Sequence, residues 1–120
     1  MRYLYFVCLF FLFIAKTRGQ NLDSIIHIKP IYSIKKDTLY GGRKFNQINR
    51  DQHYRLIALG NTNNREMKNG YWVYLSADNR KQICIGKFKK GLKHGWWYWN
   101  ADECNIKFKN GKEIKRRYHF

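Results

Sequence analysis

The pattern of apolar and polar positions changes twice along the chain. Leu4 to Ala15 is an unbroken apolar run of twelve residues, preceded by Arg2 and followed by Lys16, Thr17, Arg18 and Gly19. From Gln20 to about Thr38 the pattern alternates loosely through Ile26, Ile28, Tyr32 and Ile34, interrupted by Pro30. Proline cannot donate to a ladder, so this stretch predicts an edge strand or an extended arm. Gly41-Gly42 predicts a turn. Phe45 to Leu59 keeps neither a helical nor a strand period, and a strand is expected only over Tyr54 to Leu59. Gly60-Asn61-Thr62-Asn63-Asn64 is a loop by composition.

Beyond Arg65 the pattern becomes regular. Met67-Lys68-Asn69-Gly70-Tyr71-Trp72-Val73-Tyr74 aligns without a gap on Leu92-Lys93-His94-Gly95-Trp96-Trp97-Tyr98-Trp99, an offset of 25. Phe88-Lys89-Lys90-Gly91 recurs as Phe108-Lys109-Asn110-Gly111 at an offset of 20. Internal periods of this length mark architectures in which one supersecondary unit must stack on its neighbours to bury its face. Tyr71 to Leu75 and Trp96 to Trp99 are expected as aromatic strands, with turns at Ala77–Lys81 and Asn100–Glu103. Ile83 to Phe88 and Cys104 to Phe108 are the return strands. Gly70, Gly91, Gly95 and Gly111 are expected to close the tight connections between hairpins, with His94 in one of them. The fold class is all-β: consecutive antiparallel hairpins in a single twisted meander sheet.

Strand alternation sorts these residues onto two faces. Trp72 and Tyr74 share one face, as do Trp97 and Trp99, and the return strands add Cys84, Phe88, Cys104, Ile106 and Phe108. Trp72 and Trp97 are expected in the core. Tyr71, Trp96 and Tyr98 then fall on the other face, the better candidate for binding because so small a protein cannot bury both. Lys87, Lys89, Lys107 and Lys109 point away from Phe88 and Phe108 and extend that candidate face as a basic stripe.

The apolar run of Leu4 to Ala15 is shorter than the roughly 20 residues a membrane span needs, so 1–19 fits a signal peptide cut before Gln20. Cys8 lacks the small neighbour that lipoprotein processing favours. The division of the chain is thus a signal peptide at 1–19, an N-terminal arm at 20–64 and a repeat domain at 65–120. The mature chain is expected to be exported, periplasmic or extracellular, with no transmembrane segment.

Charge then narrows the partners. Lys and Arg number 24 against 8 Asp and Glu, and losing Arg2, Lys16 and Arg18 with the leader takes the formal charge from +16 to +13. Such a field favours an anionic envelope surface of lipid or polysaccharide, or an acidic protein partner. Export disfavours nucleic acid.

The stretch Gly86-Lys87-Phe88-Lys89-Lys90-Gly91-Leu92-Lys93-His94-Gly95-Trp96-Trp97-Tyr98-Trp99 resembles the MORN repeat. The similarity is greatest to a bacterial variant in which Gly-any-Trp-any-Tyr replaces the usual Gly-any-Gly. Gly70-Tyr71-Trp72-Val73-Tyr74 and Gly95-Trp96-Trp97-Tyr98-Trp99 carry that element. Arg65-Glu66-Met67 stands where a Gly-any-aromatic lead-in would be, and residues 20–60 show no clear copy, so the resemblance covers about 65–114. It implies a hairpin-repeat fold serving as a scaffold or binding platform, and antitoxin-like neutralisation of a partner protein as the alternative function.

Catalytic chemistry is not evident. His27, His53, His94 and His119 are scattered without metal-site spacing, and no catalytic residue, metal or cofactor is expected. The segment from Gly86 to Gly91 lacks the Lys-Ser/Thr ending of a phosphate loop. Asp78 and Asp102 occupy equivalent turns, where capping accounts for them. Cys84 and Cys104 could form a disulfide in an oxidising compartment. In a plain meander, however, their strands lie about 10 Å apart, beyond the roughly 7 Å Cα limit, which favours two small buried hydrophobes. The function expected is that of an exported, non-enzymatic binding or scaffold module, with an enzyme of unfamiliar site as the remote rival.

Overall fold

A computed structural model describes residues 25–119; the segment 1–19, expected as a signal peptide, lies outside them. Eight antiparallel strands follow one another in an open sheet whose spatial order is the chain order. They are β1 (Tyr32–Tyr40), β2 (Arg43–Arg50), β3 (Leu56–Thr62), β4 (Lys68–Leu75), β5 (Gln82–Lys89), β6 (Leu92–Trp99), β7 (Cys104–Lys109) and β8 (Lys112–Tyr118). This is the expected all-β meander of hairpins. The sheet lies on both sides of the 63–67 turn, so the segment before it supplies three of the strands, β1, β2 and β3.

The turns explain the register. At one end Gly41-Gly42, Lys90-Gly91 and Asn110-Gly111 each link two strands with positive φ at both residues. That is the type I′ geometry, whose twist matches the twist of the paired strands. The longer connections each contain a single left-handed residue: Tyr54, Glu66, Arg80 or Glu103. Two of them share a side-chain clasp. Asp51 Oδ1 accepts from the N–H groups of His53 and Arg55, and Asn63 Oδ1 accepts from those of Arg65 and Met67.

Several expectations are corrected by this geometry. Gly60, Asn61 and Thr62 belong to strand β3, and the turn occupies only 63–67. Tyr54 lies in the preceding turn, so the strand expected from Tyr54 begins at Leu56. Pro30 precedes the edge strand β1 instead of interrupting it. Gly91 and Gly111 do close hairpins, but Gly70 and Gly95 lie inside β4 and β6, opposite Phe88 and Phe108. His94 is likewise within β6, paired with Lys87.

Two complete cross-strand rows define the faces. Ser33, Asn49, Ala58, Tyr74, Cys84, Trp99, Cys104 and Tyr118 form one, and Ile34, Ile48, Leu59, Val73, Ile85, Tyr98, Asn105 and Arg117 form the other. The first row borders an aromatic ladder, Trp72–Phe88–Trp97–Phe108, in which successive rings meet edge to face at 85° with centroids 6.4, 5.0 and 6.4 Å apart. Edge-to-face contact sets the positive rim of one ring against the negative face of the next. Ile26 packs on this ladder and is buried. The second row grades from aliphatic in β1–β5 to polar in β6–β8.

Each ladder tryptophan covers a glycine on the preceding strand. The ring of Trp72 occupies the space a side chain at Gly60 would need, and Trp97 does the same over Gly86. Trp72 Nε1 donates to the Asn61 carbonyl at 2.7 Å, and Trp97 Nε1 to the Lys87 carbonyl at 3.0 Å. The same three-part device therefore occurs twice: a glycine, the carbonyl after it, and an indole from the next strand. At the equivalent place in β7 stands Ile106, facing Arg116 of β8, where no indole follows.

Candidate functional site

The face opposite the ladder changes character at β5. Its β1–β5 part is an apolar cluster of Phe45, Ile48, Leu59, Val73 and Leu75, with Tyr71 and Ile85 at its margin. Beyond that margin it carries Lys87, Lys89, His94, Trp96, Tyr98, Lys107, Lys109, Lys115 and Arg117, placed there by strand register. No Asp or Glu occurs in β5, β6 or β7. The one carboxylate of β8, Glu113, pairs with Phe108 on the ladder side and is held by Arg116 at 2.7 Å.

The residues singled out from the sequence are thus brought together, though unequally. Trp96 is 41% exposed, whereas the other three tryptophans are between 0 and 4% exposed. Tyr71 and Tyr98 are half-buried; Lys87, Lys89, Lys107 and Lys109 are exposed. Lys107 Nζ and the Arg117 guanidinium carbon stand 5.8 and 5.6 Å from the Trp96 ring centroid. The Arg43 guanidinium lies 3.8 Å from the centroid of Tyr71, with Lys87 Nζ at 5.3 Å. Tyr98 neighbours His119, with ring centroids 6.2 Å apart. Rings and cations are interleaved, so Tyr71 and Trp96 are each polarised by neighbouring positive charges.

Two members of this face escaped the sequence reading. Arg43 comes from a strand 28 residues before Tyr71 and is joined to it only by the fold. The position of His94 before Gly95 predicts a connection, yet its pairing with Lys87 puts it in the face.

The ladder side offers different chemistry. Cys84 and Cys104 are both free and buried, and both pair with Trp99 from its two sides. An intervening strand keeps them apart, as the spacing argument requires, so no disulfide joins them. Burial pushes the Cys84 thiol up to about 12 and also raises Cys104, which holds both as neutral thiols at physiological pH. Lys68 Nζ donates to Tyr74 Oη at 3.1 Å and lies 5.0 and 5.1 Å from the Trp72 and Phe88 centroids. Its partial burial lowers its pKa. Asp78 bonds Arg55 at 3.1 Å across neighbouring turns, and it is Asn79 Oδ1 that accepts from the Lys81 N–H. A cavity of about 340 Å³ opens beside Ile26, Ala58, Trp72 and Tyr74.

Among the described residues, no group of three or more His, Cys, Asp or Glu side chains gathers as a metal site. Nor is any helix among them long and apolar enough to cross a membrane. The fold and this face define the chain as an open β-meander with one basic aromatic surface. No family model, curated protein or solved structure matches it.

Proposed function

We propose that the protein is an exported, non-enzymatic β-repeat module, of the kind the MORN-variant resemblance implies, that holds to an anionic envelope surface through its basic aromatic face. The observation carrying this reading is the exclusion of carboxylates from β5, β6 and β7, together with the turning of Glu113 onto the opposite side. Lysines scattered for solubility alone would be mixed with acidic residues on the same surface. Near an anionic surface each such cation contributes about 1 kcal/mol, so Lys87, Lys89, Lys107 and Lys109 together support salt-sensitive attachment.

The test is co-sedimentation of the mature chain with an envelope fraction at low and at high salt, repeated after changing those four lysines to Gln. Salt-sensitive binding that drops in the variant supports the reading. A stoichiometric, salt-resistant complex with one protein would favour the antitoxin-like alternative instead, and binding unchanged in the variant would reduce the stripe to a solubilising face.

A further inference from the structure

Resting on that reading, we infer that the anionic ligand of this face is a linear acidic polysaccharide, a chain of pyranose rings bearing carboxylates, laid across β4–β8 with one ring on Trp96. The apolar C–H face of a pyranose stacks on the electron-rich face of an indole, while its carboxylate needs a cation within reach of that ring. Trp96 supplies this pairing. It is the exposed tryptophan, and Lys107 and Arg117, from the two following strands, hold their charges over its ring at 5.8 and 5.6 Å from the centroid, within reach of a carboxylate on a sugar stacked there. The guanidinium of Arg117 offers the planar fork that a carboxylate accepts in two hydrogen bonds.

The arrangement repeats along the face. Tyr98, Asn105 and Arg117 lie in one row across β6, β7 and β8, which sets a second ring and an amide beside the guanidinium that Trp96 also shares. Tyr71, with Arg43 and Lys87 over its ring, adds a third ring-and-cation pair toward β4. Neighbouring strands stand about 4.8 Å apart, so these ring-and-cation units form a track across the sheet rather than one closed pocket. A polymer that alternates rings and charges matches such a track.

A lipid bilayer matches it less well. A Trp that anchors at a membrane sits at the headgroup level, where the bilayer would meet the cations of this face but offers no succession of rings to stack on Trp96, Tyr98 and Tyr71. Single-stranded nucleic acid shares the stacking and the charge. The leader read at 1–19 places the face outside the cell, where acidic polysaccharide is the commoner linear polyanion.

The decisive experiment uses the mature chain, polygalacturonate as probe, and acrylamide quenching of tryptophan fluorescence. Because Trp72, Trp97 and Trp99 are buried, the quenchable signal reports on Trp96. Polygalacturonate is expected to bind, to shield that signal and to leave it unshielded when replaced by a neutral glucan. Trp96→Ala, and separately Lys107→Gln with Arg117→Gln, should each weaken binding about tenfold or more, the scale of one lost stacked ring. Binding without shielding, or undiminished in both variants, overturns the inference. Equal shielding by an oligothymidylate overturns it in favour of a general stacking platform. Attachment to anionic phosphatidylglycerol vesicles but not to polygalacturonate removes the polysaccharide and leaves the anionic-surface reading standing; binding to neither removes both.

Discussion

Trp97 lies over Gly86 so closely that a Cβ on the glycine would fall 1.9 Å from Cδ2 of the indole. The ring is fixed there by its bond to the Lys87 carbonyl and by Phe88 and Phe108 on either side, and it is fully buried. It cannot swing aside. Gly86→Ala should therefore destabilise the fold by about 1 to 3 kcal/mol or more, as overpacking does. In a Trp97→Leu background the same change should cost under about 1 kcal/mol, because the clash has been removed. Urea unfolding of the four proteins gives the coupling, and additive costs would mean that the two residues do not compete for the same space.

The tryptophans divide into structural and surface roles. Trp72→Ala and Trp97→Ala each remove a buried ring from the ladder and should cost about 3 to 5 kcal/mol. Trp96→Ala should change stability by no more than about 0.5 kcal/mol, since the ring is exposed and its neighbours are solvated lysine and arginine. Chemical denaturation distinguishes the two groups. A loss below about 1 kcal/mol at Trp72 or Trp97 would contradict their place in the core.

The hairpin over Lys90-Gly91 can be improved. Lys90 holds φ at 51°, a left-handed conformation that its Cβ disfavours, while the equivalent turn in the next hairpin uses Asn110 at 52°. Asparagine tolerates this region better, and Asn-Gly is the preferred type I′ pair. Lys90→Asn is expected to raise stability by a few tenths up to about 1 kcal/mol. The backbone N–H of residue 90, which donates to Asn69 Oδ1, is unaffected. A lower urea midpoint in the variant would refute the argument.

The strand–turn–strand pattern after Arg65 was legible because its aromatic positions alternate, and both predicted turns lie between the strands expected to flank them. The copy ending at Gly60 was not legible. Ala58-Leu59-Gly60 is the counterpart of Cys84-Ile85-Gly86, but a small-apolar-glycine triplet carries no aromatic signal, and Gly60-Asn61 has the composition of a loop. What makes it a strand is an indole 12 residues later, Trp72, which requires a glycine beneath it. The basic face was legible where alternation within one strand sufficed, as for Lys87 and Lys107. It was hidden where a distant strand contributes, as for Arg43, or where a glycine inside a strand has the look of a turn, as Gly95 does beside His94.

Alkaline pH should unfold the protein through its buried acids. Burial raises the Cys84 thiol from its ordinary 9.0 to about 12, so between those values the unfolded chain has released a proton that the folded chain retains. The unfolded state then binds fewer protons, and stability falls as pH rises through this window. Tyr74, raised chiefly by burial and secondarily by the neighbouring Cys84, acts in the same direction above its ordinary 10.0. Lys68 opposes them. Burial lowers its pKa below 10.5, so folding keeps it deprotonated where the unfolded chain is protonated, and its contribution improves as pH climbs toward 10.5. The two large upward shifts are expected to dominate, giving a urea midpoint that declines from about pH 9 upward. Cys84→Ala should flatten that decline while lowering stability near neutrality through the lost buried sulfur, and Lys68→Met should steepen it. Both thiols should also resist an aromatic disulfide reagent in the folded protein and react fully in urea. A pH-independent midpoint between 8 and 11, or rapid reaction of the thiols under native conditions, would show that the Cys84–Trp99–Cys104 row is open to solvent.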